Sequence, residues 1–319
     1  FHSATFATFA RSLRFRSTQS PSRSIRRFVE PPAAPFVYGT VFMKWAGEHP
    51  RRTLAALGFA PRKALGQNFL HDGNVVRKIV ALARAFPPPY LEIGPGLGVL
   101  TGPLSGSGAP VVAVELDRGL AAHLREWFAG SSVDVLEADF LAVSAGEWRR
   151  RFPEGGTVVG NLPYSISSPI LLRLIELRGI FPRAVLMLQR EVVERLCASP
   201  GGKEYGVLSV CLSTLGEARK EFPVRRSCFH PVPDVDSAVL TIRFFGDFPD
   251  ELVAALRTVV RAAFARRRKT LRNAPVPFLP GGSGEWCELL ASAGIDPSGR
   301  AEEVPPVAYL ALARRFARI

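Results

Sequence analysis

Tyr90-Leu91-Glu92-Ile93-Gly94-Pro95-Gly96-Leu97-Gly98 decides the fold. A short apolar run of strand length ends in three closely spaced glycines, and a helical pattern follows. Glycines at a strand end let the backbone approach a ligand closely. The dinucleotide fingerprint wants Gly-x-Gly-x-x-Gly. Here the third glycine arrives one residue early and Val99 stands in its place. The turn is therefore wider in purpose than a pyrophosphate cradle.

Working outward, 111–114, 133–136, 158–159 and 184–188 read as further strands. Helical spacing fills 116–128 and 169–177 between them. Strands that alternate with helices predict an α/β fold, a doubly wound Rossmann-like parallel sheet. Residues 237–244 alternate polar and apolar and predict an added antiparallel strand. Upstream, 52–58 reads as a short helix, 61–70 as a polar loop, and 74–85 as a helix stopped by Pro87-Pro88-Pro89. After Gly246 only helical patterns remain. The expected layout is an extension over 1–44, a sheet domain over 45–246, and a smaller all-helical C-terminal domain over 247–319.

The chain has 319 residues, 47% hydrophobic, with a formal net charge of +13. That length accommodates one large domain and one small one. The positive balance favours a polyanionic partner. The four cysteines, Cys197, Cys211, Cys228 and Cys287, form no Cys-x-x-Cys pair, so neither a metal site nor a disulfide framework is indicated. No apolar run reaches membrane-spanning length, so no membrane association is expected. Residues 1–42 carry six arginines, many Ser and Thr, and Glu30 as the single acid. This composition resembles an organelle transit peptide. The rival reading is translated upstream sequence or a fragment edge before Met43. Disorder is expected up to about Lys44 on either reading.

Three strand ends carry chemistry. Glu115 ends the second strand, where a carboxylate can accept both hydroxyls of a ribose. Asp139 ends the third, where it can accept from an adenine amine. With Gly94 and Gly96 these acids suggest S-adenosylmethionine as co-substrate; near the helix starts, both could instead serve as dipole-facing carboxylates. The fourth strand ends in Gly160-Asn161-Leu162-Pro163-Tyr164. An amide, a proline and an aromatic there suit a flat heteroaromatic amine. Its lone pair is delocalised into the ring. Two acceptors on its hydrogens, the Asn161 oxygen and a carbonyl beside Pro163, would return density to nitrogen as charge develops. Tyr164 would stack on the ring. The alternative reading is a strand-to-loop turn. A basic run, Arg257, Arg261, Arg266, Arg267, Arg268, Lys269 and Arg272, is interleaved with Leu256, Val260, Phe264 and Leu271. On a helix it would give a basic face over an apolar one, fit for RNA phosphates.

These pieces in this order resemble the ribosomal RNA adenine N6,N6-dimethyltransferases of the kasugamycin-resistance type, which modify small-subunit RNA. The likeness runs from about Pro61 to Phe316. It rests on Leu65-Gly66-Gln67-Asn68-Phe69-Leu70, Glu92 to Gly96, Glu115-Leu116-Asp117, Asp139, and Gly160 to Tyr164. It continues through Gln189-Arg190-Glu191-Val192, Tyr205-Gly206, Phe229 to Ser237, and Arg267 to Asn273. The resemblance implies that Asn68, Leu70, Gly94, Gly96, Glu115, Asp139 and Asn161 hold S-adenosylmethionine. It implies that Asn161, Leu162, Pro163 and Tyr164 carry the reaction, with Phe229 closing on the adenine opposite Tyr164. It further implies a monomeric, cytoplasmic enzyme acting on small-subunit rRNA or a pre-ribosomal particle in ribosome biogenesis, without metal; a genuine transit peptide would place it in a mitochondrion or plastid. Two departures stand out: Ser165 replaces a frequent Asn, and 275–284 is rich in proline and glycine, expected as a loose linker. The competing readings are a large-subunit resistance methylase, whose members tend to carry Ile at the place of Leu162, and a non-catalytic nucleic-acid-binding factor on the same fold.

Overall fold

The computed structural model describes residues 49–318, apart from positions 107 and 247. The extension expected over 1–44 lies outside the described residues. A seven-stranded sheet organises the rest. In chain order its strands are β2 (Tyr90–Ile93), β3 (Val111–Glu115), β4 (Val133–Glu137), β5 (Thr157–Asn161), β6 (Arg183–Gln189), β7 (Gly216–Val224) and β9 (Ser237–Phe244). A separate ribbon pairs β1 (Phe69–Leu70) with β8 (Phe229–His230). The sheet order is β4-β3-β2-β5-β6-β9-β7. The first five positions are parallel, and β9 runs antiparallel to both β6 and β7. The winding reverses between β2 and β5, and ligands of such sheets sit at the carboxyl ends beside that switch.

Strand alternation divides the core into two layers. Leu91, Ile93, Val158, Leu186 and Leu240 face one side. There they meet Trp148 of α5 (Ala145–Arg151), Ile170 and Leu174 of α6 (Ser167–Glu176) and Leu212 of α8 (Val207–Leu215). Tyr90, Val159, Val185, Met187 and Val239 face the other side, against Val76, Ile79 and Val80 of α2 (Gly73–Arg84). The remaining helices of this part are α1 (Pro50–Ala56), α3 (Thr101–Ser105), α4 (Arg118–Trp127) and α7 (Arg190–Leu196). Asp72 caps α2 and Asp117 caps α4, each accepting from two backbone N–H groups.

Helices predicted at 52–58, 74–85, 116–128 and 169–177 all form, shifted by a residue or two. Strand β7 was not expected. Its sequence, Gly-Glu-Ala-Arg-Lys-Glu-Phe-Pro-Val, is charged and holds a proline. It lies at the sheet edge with a bulge between Lys220 and Phe222. Edge strands tolerate proline and benefit from charge, so the usual strand signals are weak there. The polar loop expected over 61–70 ends as β1, whose ladder partners come from more than a hundred residues downstream.

The C-terminal part consists of α9 (Asp250–Phe264), α10 (Gly282–Ser292) and α11 (Pro306–Phe316). Leu256, Trp286 and Leu312 belong to the same hydrophobic cluster as Val158 and Leu186. Buried Tyr205 and Tyr309 donate their hydroxyls to the carbonyls of Val304 and Ala301, and Trp286 Nε1 donates to Leu271 O. Two expectations need correction. The basic run does not continue along a helix: α9 ends at Phe264, and Arg266 to Arg268 lie in the turns beyond it. The 275–284 stretch is pinned rather than loose, with Val276 and Leu279 buried in the main cluster.

Candidate active site

A cavity of about 330 Å³ opens at the carboxyl ends of β2, β3 and β5. Its lining includes Asn68, Leu70, Gly94, Gly96, Glu115, Asp139, Asn161, Leu162, Pro163 and Tyr164. Every residue predicted for the site therefore lines it except Phe229. Four of the five contributing segments converge because parallel strands all end on one side of the sheet, and the fifth, 68–70, comes from the β1–β8 ribbon.

The glycine turn after β2 places Gly94, Gly96 and Gly98 at φ +66°, +59° and +82°. That left-handed region suits glycine. A Cβ at Gly94 would meet no protein atom within 4 Å, so open cavity lies against that backbone. A Cβ at Gly98 would sit 3.0 Å from both Leu124 Cδ2 and Phe128 Cε2, so this glycine serves packing against α4.

Glu115 is held from behind. Gly96 N–H donates to its Oε2 at 3.0 Å and Asp117 N–H to its Oε1 at 2.9 Å. Burial pushes its carboxyl up, and these backbone donors oppose that shift. Each oxygen keeps a lone pair for a ligand hydroxyl. Asp139 Oδ1 accepts from Leu141 N–H at 2.9 Å, which leaves Oδ2 for a donor in the cavity. Between these acids Leu116 is 52% exposed at the rim, an apolar surface on which a flat base can rest. Two anchored carboxylates, an apolar ledge and an open glycine backbone fit an adenosyl methyl donor.

Asn161 has a fixed orientation. Its Nδ2 donates to the Asn68 carbonyl at 2.9 Å, and no protein donor meets its Oδ1 among the described residues. The Leu162 N–H donates to Met187 O at 3.1 Å, while the Leu162 carbonyl takes no backbone donor among those residues. Two acceptors thus remain free beside the ring of Tyr164. Tyr164 is half-buried, and its hydroxyl shares a 2.8 Å hydrogen bond with Ser237 Oγ.

Phe229 lies elsewhere. It is 1% exposed, packed in the cluster with Leu70, Val76 and Ile79, and its backbone pairs with Leu70. The expected clamp of Tyr164 against Phe229 is therefore not formed in this conformation. The apolar environment under the β1–β8 ribbon holds the ring.

Three contributors were not singled out from sequence. Glu92, fully buried in β2, accepts from Thr101 Oγ1 at 2.6 Å, and burial pushes its carboxyl up to about 8. An acid inside an apolar strand was the available signal. Gln67 donates from Nε2 to Asp117 Oδ2 at 3.2 Å and accepts the Arg62 N–H on Oε1. It thereby ties the segment carrying Asn68 to the start of α4. Leu116, an exposed leucine next to a strand-end acid, is the third.

The basic run is partly committed to the fold. Arg257 pairs with Glu176, and Arg267 donates to the carbonyls of Lys203 and Tyr205 at 2.7 Å. Arg261, Arg268, Lys269 and Arg272 remain exposed, without an ion pair among the described residues.

Residues 58–318 match the sequence model of the family described as ribosomal RNA adenine dimethylase. The chain is 44% identical over 264 residues to ribosomal RNA small subunit methyltransferase A of Methylococcus capsulatus, covering 80% of this chain and 98% of that protein. It is 46% identical over 260 residues to the protein of the same name from Geobacter sulfurreducens, covering 77% and 91%. Among solved structures, a dimethyladenosine transferase from Plasmodium falciparum superposes with a TM-score of 0.63 at 26% identity, covering 76% of this chain and 95% of that one. The 23S rRNA methyltransferase ErmE superposes with a TM-score of 0.57 at 28% identity, covering 78% and 99%. The match spans the glycine turn, both carboxylates and the Asn161 segment together, and this chain belongs to the ribosomal RNA adenine dimethylase family.

Proposed function

We propose that this chain transfers methyl groups from S-adenosylmethionine to the N6 amines of adenines in small-subunit ribosomal RNA, two to each base. The observation that carries this reading is the pair of free acceptors, Asn161 Oδ1 and the Leu162 carbonyl, held beside an aromatic ring at the open end of the cavity.

The donor, when bound, supplies a methyl carbon activated by a positively charged sulfur. Glu115 and Asp139 orient its nucleoside, and the bare backbone at Gly94 admits its tail. The Asn68 carbonyl fixes the Asn161 amide, so Oδ1 is the atom that meets the adenine amine. With the Leu162 carbonyl it accepts both amine hydrogens and favours the positive charge that grows on nitrogen during attack. Pro163 lacks the backbone N–H that could otherwise donate to Asn161 Oδ1 in a local turn. Tyr164 offers its ring face to a base that has left its stack. No lining carboxylate is needed as a base, because the alkylated amine is acidic enough to release its proton to water. Positioning and fixed dipoles account for the rate. A second aromatic face at Phe229 requires that ring to leave the core as the base docks.

The exposed cations after α9 support a phosphate-contacting role for the 247–319 segment. Action as a monomer is part of the same proposal, as is action in the cytoplasm, or in a mitochondrion or plastid if residues 1–42 target one. Fusion of residues 1–42 to a fluorescent reporter tests the location.

The test of function uses purified protein, radiolabelled S-adenosylmethionine and unmethylated small-subunit particles, with nucleoside analysis of the digested RNA. Labelled dimethyladenosine is the expected product. Label confined to naked large-subunit RNA would move the assignment to a resistance-type methylase. RNA binding with no label on either substrate would make the chain a non-catalytic binding factor.

A further inference from the structure

Tyr164 lines the cavity with Asn161 and Leu162, and a single hydrogen bond fixes the far end of its side chain. The partner is Ser237 Oγ, 2.8 Å from the phenolic oxygen. Ser237 is the first residue of β9 and is 0% exposed. Its hydroxyl has no other hydrogen-bond partner among the described residues.

The placement of Ser237 is over-determined. Its Cα pairs with Gln189 at the end of β6 on one side and with Val224 at the end of β7 on the other. The preceding Asp236 is tied twice more: its carbonyl accepts from Arg190 N–H at 2.9 Å, and its Oδ1 accepts from Arg226 N–H at 3.0 Å. The Ser237 backbone, in β9, is thus fixed between β6 and β7. Tyr164, by contrast, opens a short 3-10 turn after Pro163, outside any strand. A ring on such a turn has freedom about its side-chain torsions unless its tip is held.

We infer that Ser237 is a positioning residue for methyl transfer, holding the Tyr164 phenol so that the ring face lies parallel to the docked adenine while Asn161 and Leu162 receive its amine. This rests on the reading of the cavity as an adenine methyl-transfer site. A stack positions a base only if the ring itself is stiff. Misplacement of a reacting group by about 1 Å costs orders of magnitude in rate. The bond also gives the buried Ser237 hydroxyl its partner, so removing the Tyr164 phenol leaves that hydroxyl unsatisfied.

A double-mutant cycle on the full chain tests this. Ser237→Ala, Tyr164→Phe and the double variant are assayed for methyl transfer to unmethylated small-subunit particles, with donor affinity measured by calorimetry. Ser237→Ala should lower kcat about tenfold, the size of one buried hydrogen bond, with donor Kd unchanged. Tyr164→Phe keeps the ring but removes the same bond, and should lower kcat similarly. In the Tyr164→Phe background, Ser237→Ala should then change kcat by less than about twofold, because coupled residues are not additive. A purely structural role for Ser237 would give the same loss in both backgrounds and overturn the inference. An unchanged kcat in Tyr164→Phe would also overturn it, even if Ser237→Ala does not fold. Absence of any methyl transfer by the wild-type chain would instead refute the underlying reading of the site.

Discussion

Asn161 shows how one side chain acquires a role from its neighbour. An asparagine amide can present either end to a ligand. The Asn68 carbonyl, 2.9 Å from Nδ2, selects which end, leaving Oδ1 for the substrate. Asn161→Ala should lower methyl transfer about 10²–10³-fold, the range for removing one preorganised electrostatic interaction. Donor affinity, measured by calorimetry, should fall only partly, since Glu115 and Asp139 remain. Near-normal kcat would remove Asn161 from the mechanism. Glu92 allows a second test at this scale. Burial raises its pKa from 4.5 to about 8, with Thr101 opposing and Glu115 adding to the shift. Between those values the folded chain holds a proton that the unfolded chain has released. Stability from this group is full below the unfolded value and is lost as pH rises through the folded one. Glu92→Gln, neutral throughout, should flatten that decline. Urea unfolding between pH 5 and 8 should show the wild type losing ground to the variant as pH rises. A constant gap would contradict the assignment.

At the scale of elements, the β5 end depends on the residue before Asn161. A Cβ at Gly160 would lie 2.9 Å from Ile93 O and 3.0 Å from Leu162 Cδ2. Only glycine lets β5 approach β2 this closely while turning Asn161 outward. Gly160→Ala should destabilise the chain by about 1–3 kcal/mol, the usual cost of overpacking, and should also slow methyl transfer by shifting Asn161. Thermal melts and turnover measured together check both parts. The turns after α9 support a different expectation. Arg267 anchors two carbonyls, so replacing it would confound a binding assay. Arg268→Ala with Lys269→Ala spares that anchor. RNA affinity should weaken, and the slope of log K against log salt should fall by about 0.7–0.9 for each phosphate no longer neutralised. An unchanged slope would place the RNA elsewhere.

At the scale of the whole molecule, much of the fold is legible in the sequence. Parallel strands buried on both faces are near-continuous apolar runs, and helices with one apolar stripe repeat at their own period, so both signals survive in one dimension. The strand-end position of Gly94, Glu115, Asp139 and Asn161 followed from those runs, because a parallel sheet delivers every strand end to one rim. The sequence by itself thus determined six of the seven strands of the sheet, their directions, and the residues at the strand ends that line the cavity. Pairings distant along the chain were decided only by tertiary structure. Among them are the β1–β8 ribbon that buries Phe229, the charged edge strand β7, the Arg267 anchor, and the bond between Tyr164 and Ser237 across 73 positions. Local periodicity reports which face of an element is apolar. It does not report which distant atom satisfies a buried hydroxyl or which cation is consumed by a carbonyl, because those depend on where packing brings the elements together.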